Sequence, residues 1–271
     1  MIYSKRLILL FFIVSACQSF GLLTIEASIN NSLKEVSAAE YDLNSELIWV
    51  IEDAGNDNHL YGLNKKGHIN RDIIISNAEN LDWEELTSDA NGNIYIGDFG
   101  NNNRKRKTFR ILKIKHDDLI KSSANAEIIE FTLPKDQESK DFESFFLFHN
   151  SFYLMSKEHK KFSVFMVPNV IGTHKAILRS SHNLKGKNNR ITAADISKDG
   201  KTVVLLNHDK LWKISNYEGD DFFSGDIKKI VFEHDSQKEG ISFKTNNEVI
   251  ITDERKGTEG GNIYSFKLNK K

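Results

Sequence analysis

An internal repeat constrains this chain more than any other feature. Trp83-Glu84-Glu85-Leu86-Thr87 precedes Asn93-Ile94-Tyr95-Ile96-Gly97-Asp98, and Phe142-Glu143-Ser144-Phe145-Phe146 precedes Phe152-Tyr153-Leu154-Met155-Ser156-Lys157. Lys238-Glu239-Gly240-Ile241-Ser242 stands in the same way before Glu248-Val249-Ile250-Ile251-Thr252-Asp253. In each copy the glutamate lies fourteen positions before the end of the apolar run, at 84 and 98, 143 and 157, 239 and 253. Two looser copies begin at Glu35-Val36-Ser37, ahead of Leu47 to Asp53, and at Thr192-Ala193-Ala194, ahead of Val203 to His208. The key positions 35, 84, 143, 192 and 239 are 49, 59, 49 and 47 residues apart.

A period near fifty with several short strand signals per unit belongs to a radial repeat of four-stranded sheets. The expected fold class is all-β, a five-bladed β-propeller spanning residues 22–271 as one domain. The first unit reads as strands Val36 to Tyr41, Leu47 to Ile51, His59 to Leu63 and Ile69 to Ile75, separated by Gly, Asn and Lys turns. The fifth unit ends after Asn262 to Leu268 without a fourth strand. Leu22 to Ser28, strand-like and ahead of the first unit, is predicted to close the ring as that strand, since an unpaired edge is a liability. The alternatives are an open β-sandwich, or six blades with one hidden between Asn101 and Asp141. No convincing helix is present.

The first residues have another use. Lys5-Arg6 followed by the apolar run Leu7 to Val14 has the layout of a signal peptide over residues 1–16 and is too short for a comfortable membrane span. Val14-Ser15-Ala16-Cys17 resembles a lipobox, and Cys17 is the single cysteine of the chain. The expectation is an exported protein lipidated at Cys17, with residues 17–21 as a tether. It would be anchored to the bacterial cell envelope, at the outer membrane or the periplasmic face, and touch membrane through the lipid alone. An ordinary signal peptide with an incidental cysteine is the alternative.

Loss of Lys5 and Arg6 from 37 basic residues leaves 35 against 38 acidic ones, a net charge of −3. That balance excludes a nucleic-acid partner. The one basic run, Arg104-Lys105-Arg106-Lys107, reads as a loop between strands.

In a propeller the start of each first strand and the end of each second strand lie at the same mouth of the central channel. Glu35, Glu84, Glu143, Thr192 and Glu239 are predicted to form one ring there, near Asp53, Asp98, Lys157, His208 and Asp253. Like charges about 8 Å apart repel by roughly 2 kcal/mol at an effective dielectric near 20, so such a ring calls for a cation, protons or basic neighbours. Oxygen-only donors favour Ca²⁺ over Zn²⁺. The metal candidates are therefore Glu35, Glu84, Glu143, Glu239, Asp53, Asp98 and Asp253. Lys157 supplies internal compensation. The candidates for reading a ligand are Thr192, Lys157, His208, Asn56 and Asn101, the two asparagines lying in turn sequences at that mouth. The chain contains no G-x-S-x-G, H-E-x-x-H or Walker-type loop, and no residue is assigned to catalysis.

These motifs, Glu35-Val36-Ser37 with Leu47 to Gly55 and Asp82-Trp83-Glu84 with Tyr95 to Asn101, resemble those of β-propeller lipoproteins of the Bacteroidetes type, and more loosely the SdiA-regulated propeller family. Ala38-Ala39 stands where those proteins tend to have Gly-Leu after E-x-S, and Glu52-Asp53-Ala54-Gly55 where they have N-D-S-G. The resemblance implies a propeller and Ca²⁺ binding, but no reaction. The expected function is a monomeric, lipid-anchored module that binds a ligand or envelope protein at its acidic mouth. The alternative is a metal-dependent hydrolase of the lactonase, phosphotriesterase or phytase-like type.

Overall fold

The computed structural model describes Ser19, Phe20 and residues 22–269, so the leader, the lipobox and Cys17 lie outside the described residues. Within them the chain forms five antiparallel sheets of four principal strands each. Blade 1 comprises Val36–Tyr41, Ile48–Glu52, His59–Leu63 and Ile69–Ile75. Blade 2 comprises Trp83–Ser88, Ile94–Asp98, Thr108–Ile114 and Glu127–Thr132, and blade 3 Phe142–Phe148, Ser151–Ser156, Phe162–Pro168 and Ile177–His182. Blade 4 contains Ala193–Ile196, Thr202–Leu206, Lys210–Ser215 and Asp226–Val231. Blade 5 runs Lys238–Thr245, Glu248–Asp253 and Asn262–Lys267, and its fourth strand is Leu23–Ser28, paired antiparallel to Asn262–Lys267 and edged by the short strand Ser19–Phe20. The ring is closed by the N-terminal strand, as the repeat arithmetic predicts.

The second unit is longer than the rest for a different reason than a sixth blade. Residues between Asn101 and Asp141 supply the third and fourth strands of blade 2. The surplus forms a crossing whose two residues, Ser123 and Ala124, pair in parallel with Ile74 and Ile75 on the outer edge of blade 1. Gly172–Lys175 covers the outer edge of blade 2 in the same manner. Helical structure among the described residues is confined to two short 3-10 turns, and no helix is long and apolar enough to cross a membrane.

Burial explains the sequence texture. Second strands such as Ile48–Glu52 are buried at every position, being enclosed between neighbouring blades, and so read as unbroken apolar runs. Outer strands alternate: Ile73 and Ile75 are buried while Ile74 and Asp72 face outward. Apolar clusters fill each interface between blades. Trp49 and Trp83 pack in the one between blades 1 and 2. Between blades 2 and 3 the packing is aromatic, with Phe142 edge-on to Phe109 at 5.4 Å and to Phe165 at 5.7 Å. Such pairs add about 0.5–1.5 kcal/mol beyond the area they bury.

The innermost strands share one irregularity. In blades 1, 2, 3 and 5 a β-bulge interrupts the pairing of the first strand with the second at the same place, at Ser37, Glu84, Glu143 and Glu239. Blade 4 places Thr192 at the corresponding point, one residue before the Ala193–Leu206 pair. A bulge re-aims side chains at a strand end, here at the mouth of the channel.

Candidate metal centre at the channel mouth

The bulges set which residues are equivalent, and they correct the sequence-derived ring in blade 1. Ser37, and not Glu35, matches Glu84, Glu143, Thr192 and Glu239. The hydroxyls do equivalent work: Ser37 Oγ donates to the Trp83 carbonyl of blade 2 at 2.8 Å, and Thr192 Oγ1 to the Lys238 carbonyl of blade 5 at 2.8 Å. Thr192 is thereby occupied in joining blades, with its hydroxyl buried. Glu35 lies two residues upstream, matching Asp82 of blade 2 and Asp141 of blade 3. In all three the main-chain oxygen accepts from the second strand's exit, at Asp53, Phe99 and Lys157.

The second set divides for the same reason. Trp83 pairs with Asp98, Lys238 with Asp253, Phe142 with Ser156 and Val36 with Glu52. Asp98 and Asp253 are therefore equivalent to Ser156 and Glu52, one residue before Lys157 and Asp53. Because successive side chains in a strand face opposite ways, that single step separates the blade interior from the mouth. The fourteen-residue spacing conceals the step. Blade 3 turns through two residues, His149 and Asn150, whereas blade 2 turns through Asp89 to Asn93, and blade 5 has an extra bulge between Phe243 and Thr245.

Asp98 and Asp253 are fully buried and committed within their own blades. The Asp98 carboxylate takes Arg106 Nη1 at 3.0 Å and Arg110 Nε at 2.9 Å, so the basic run folds one arginine inward. Asp253 accepts from the Asn262 amide at 2.7 Å and the Tyr264 hydroxyl at 2.7 Å. Asn101 is likewise spent, joining its loop to the approach to blade 3: it donates to Ser139 Oγ and the Lys140 carbonyl and accepts from the Lys105 and Arg106 amides. Asn56 stays at the mouth, where its amide donates to Glu35 Oε2 at 2.8 Å.

The carboxylates that do converge are Asp53, Asp82 and Glu84, whose ligand oxygens all lie within 4.8 Å of one another. Asp53 follows the second strand of blade 1, Asp82 leads into the first strand of blade 2, and Glu84 is that strand's bulge. Asp82 is held by its carbonyl, which accepts from the Phe99 and Gly100 amides at 3.2 and 3.1 Å. Asn80 stitches the blades together by donating to the Glu52 and Asp53 carbonyls and accepting from the Trp83 amide. Gly100 matters by its lack of a side chain: a Cβ there would stand 2.1 Å from Glu84 Oε1 and 2.4 Å from Asp82 Cγ. The cluster exists because backbone can lie against it.

Burial dominates the electrostatics. It pushes Asp82 up to about 6, with the Asp53 charge adding to the effect and Arg106 opposing it. It raises Glu84 well above the usual carboxylate range, helped by Glu143, Asp53 and Asp82. Asp53 is also raised, burial outweighing the hydrogen bond from the Ala54 amide. Next to this cluster, Lys157 forms an ion pair with Glu143 at 2.7 Å, and His208 Nε2 lies 3.2 Å from Glu239 Oε1. Burial still raises Glu143 to about 8 against the pull of Lys157. Burial works to lower Lys157, but the charges of Glu143, Glu239 and Glu84 outweigh it and hold the ammonium above its usual range.

Asp82 and Glu254 belong to this mouth and were not singled out by spacing. Glu254 is the true counterpart of Lys157 and Asp53, and burial with the charges of Glu239, Asp53 and Glu35 raises it to about 8. Their only signal is adjacency: each neighbours a residue of the repeat, Trp83 or Asp253. Of the mouth's side chains, Asp53, Asp82 and Glu84 are the acidic group that could hold a metal ion.

No protein-family model matches the sequence, and no curated protein matches it. Solved structures do. The PQQ-bound aldose sugar dehydrogenase of Streptomyces coelicolor superposes with a TM-score of 0.56 at 8% identity, covering 93% of this chain and 99% of that one. A gluconolactonase of Xanthomonas campestris superposes with a TM-score of 0.51 at 8% identity, covering 94% and 93%. The chain is a β-propeller. At that identity the likeness extends to the fold alone.

Proposed function

We propose that this propeller is a lipid-anchored envelope module whose acidic mouth binds a divalent cation, Ca²⁺ by donor chemistry, and presents it to an oxygen-bearing ligand or partner. The observation that carries this reading is the convergence of Asp53, Asp82 and Glu84 against the bare backbone of Gly100. Three carboxylates whose ionisation is opposed by burial and by one another's charge gain from a cation that competes with their protons. The donors are all oxygen, as a hard ion requires, and the Gly100 main chain lies close against two of them. Lys157, His208, Glu239, Glu254 and Asn56 surround the cluster with groups for contacting what the cation holds. Anchoring through Cys17 is part of the proposal and rests on the lipobox-like sequence.

Titration calorimetry with Ca²⁺ on metal-stripped protein, alongside Glu84→Gln, tests it. One saturable site lost or weakened at least tenfold in the variant is the expected result. Absence of binding in the parent protein would sink the reading.

A second reading, metal-dependent hydrolysis, has one observation in its favour. The Glu254 carboxyl, raised to about 8 beside this cluster, is placed to exchange a proton near neutral pH. Hydrolysis of lactones, esters or phosphotriesters that is abolished by EDTA and by Glu84→Gln would establish it. Lactones come first, since a gluconolactonase is among the proteins of similar fold.

A further inference from the structure

One side chain reaches across the channel. Glu85 follows the bulge of blade 2, and its Oε2 accepts from the Ala194 amide of blade 4 at 3.0 Å. Blades 2 and 4 are not neighbours in the ring, so this side chain crosses the channel between the carboxylate cluster and the far end. What lies there is a cavity of about 520 Å³, walled by the turns of blades 2, 3 and 4. Its lining shares no residue with the acidic mouth's carboxylate cluster.

The cavity wall includes Glu40 of blade 1 and Asp195 of blade 4, both buried. Glu40 accepts from Ser88 Oγ and, at 3.0 Å, from Ser242 Oγ, and Asp195 accepts from the Ile196 and Phe243 amides at 2.7 Å each. The nearest fixed cation is Lys198 on the exposed rim. Thr87 also lines the cavity. It is 3% exposed, and its hydroxyl makes no hydrogen bond among the described residues. A ligand able to donate to that hydroxyl gives it the partner it lacks. The acids of the surrounding turns are already engaged: Asp89 caps the amides of Asn91 and Asn93, and Asp199 accepts from Ser197 Oγ.

We propose that this cavity is a second binding site, for a small organic cation whose primary ammonium sits among Glu40, Asp195 and Thr87 and whose alkyl part lies along Leu147, Ile196 and Phe148. The ammonium supplies the charge that two buried carboxyls lack and a donor for the Thr87 oxygen. The apolar wall accepts a short chain and excludes water from the pair. Burial raises Glu40 to about 7 and holds Asp195 well above its usual range, so below neutral pH the Glu40 carboxyl meets the ligand protonated. The charges facing Glu40 are Asp42, Glu85, Asp195 and Lys198, and only the last opposes protonation. Binding therefore expels a proton to solvent, and the affinity rises with pH between about 5 and 7.

The test is titration calorimetry of the full protein, in EDTA to silence the other mouth, with n-butylammonium and putrescine as probes and butan-1-ol and butyrate as controls. One saturable site for the amines is expected. Repetition at pH 6 in two buffers of different ionisation enthalpy should show release of up to one proton per amine. Glu40→Gln and Thr87→Val, both close in shape to the original, should weaken binding at least tenfold and threefold with the thermal midpoint retained. Glu84→Gln should leave it unchanged. Equal binding of butan-1-ol, amine binding without proton release, loss of binding in Glu84→Gln, or no saturable heat at all would each overturn the proposal.

Discussion

Glu85 Oε2 accepts a hydrogen bond from the Ala194 backbone amide at 3.0 Å, spanning the channel between two blades that do not touch along their edges. Its other oxygen accepts from the Leu86 amide at 3.1 Å. Burial raises the Glu85 carboxyl well above the usual range, and the two amide donors pull against that rise. Replacement by leucine orphans two buried N–H groups, at about 1–3 kcal/mol each, while removing a carboxyl that is costly to bury. Urea denaturation at pH 7 should show Glu85→Leu less stable by about 2 kcal/mol and Glu85→Gln by less, since glutamine keeps one acceptor. A leucine variant as stable as the parent would mean that the crossing bond adds nothing.

The mouth makes stability depend on pH in a direction opposite to that of ordinary salt-bridged carboxylates. Asp82 at about 6, Glu143 and Glu254 at about 8, and Glu84 above its usual value all bind protons more tightly folded than unfolded. Their contribution is complete below about pH 4 and is lost as pH rises through 6 to 8. In EDTA the melting temperature should fall between pH 5 and pH 8. Added Ca²⁺ competes with those protons, so its stabilising shift should grow over the same window. A calcium shift that is flat with pH would contradict the assignment of these groups.

Gly100→Ala examines the cluster without altering any donor. The backbone of Gly100 needs no left-handed conformation, so alanine is hindered only by what its Cβ meets, Glu84 Oε1 at 2.1 Å and Asp82 Cγ at 2.4 Å. Displacement of either carboxylate should cost at least tenfold in Ca²⁺ affinity, about 1.4 kcal/mol. Calcium titration reads it directly, and an unchanged affinity would place the ion elsewhere.

Removal of residues 1–28 leaves Asn262–Lys267 as a bare strand edge in blade 5. Leu23, fully buried, would be lost from the cluster between blades 4 and 5. Such edges template association. Size-exclusion chromatography should find the truncated protein aggregated or self-paired, with a lower melting temperature. A monomer of unchanged melting behaviour would show that closure is dispensable.

The sequence carries the fold clearly because the two inner strands of every blade are enclosed on both faces, so each copy repeats the same apolar run. The closing strand is legible for a related reason: five units supply nineteen principal strands, and the twentieth has one source. The site is less legible. Whether a carboxylate faces the mouth or the blade interior turns on one residue, and bulges and hairpin lengths shift that count from blade to blade. Asp98 and Asp253 look equivalent to Lys157 by spacing, yet pairing makes them equivalent to Ser156. Gly100 could not be recognised as a site residue, since its part is to leave space.

Closure by Leu23–Ser28 also imposes an order on biosynthesis. This segment is among the first described residues to be made, and its partner, Asn262–Lys267, is among the last. While blades 1 to 4 can each be assembled from contiguous chain, the opening strand must wait through the translation of more than two hundred residues before it can pair. Contacts of such long sequence separation form late and slowly. Until then the ring is an open arc with two free ends, dependent on whatever holds nascent chains apart, and a truncated product that stops before residue 262 can never complete it.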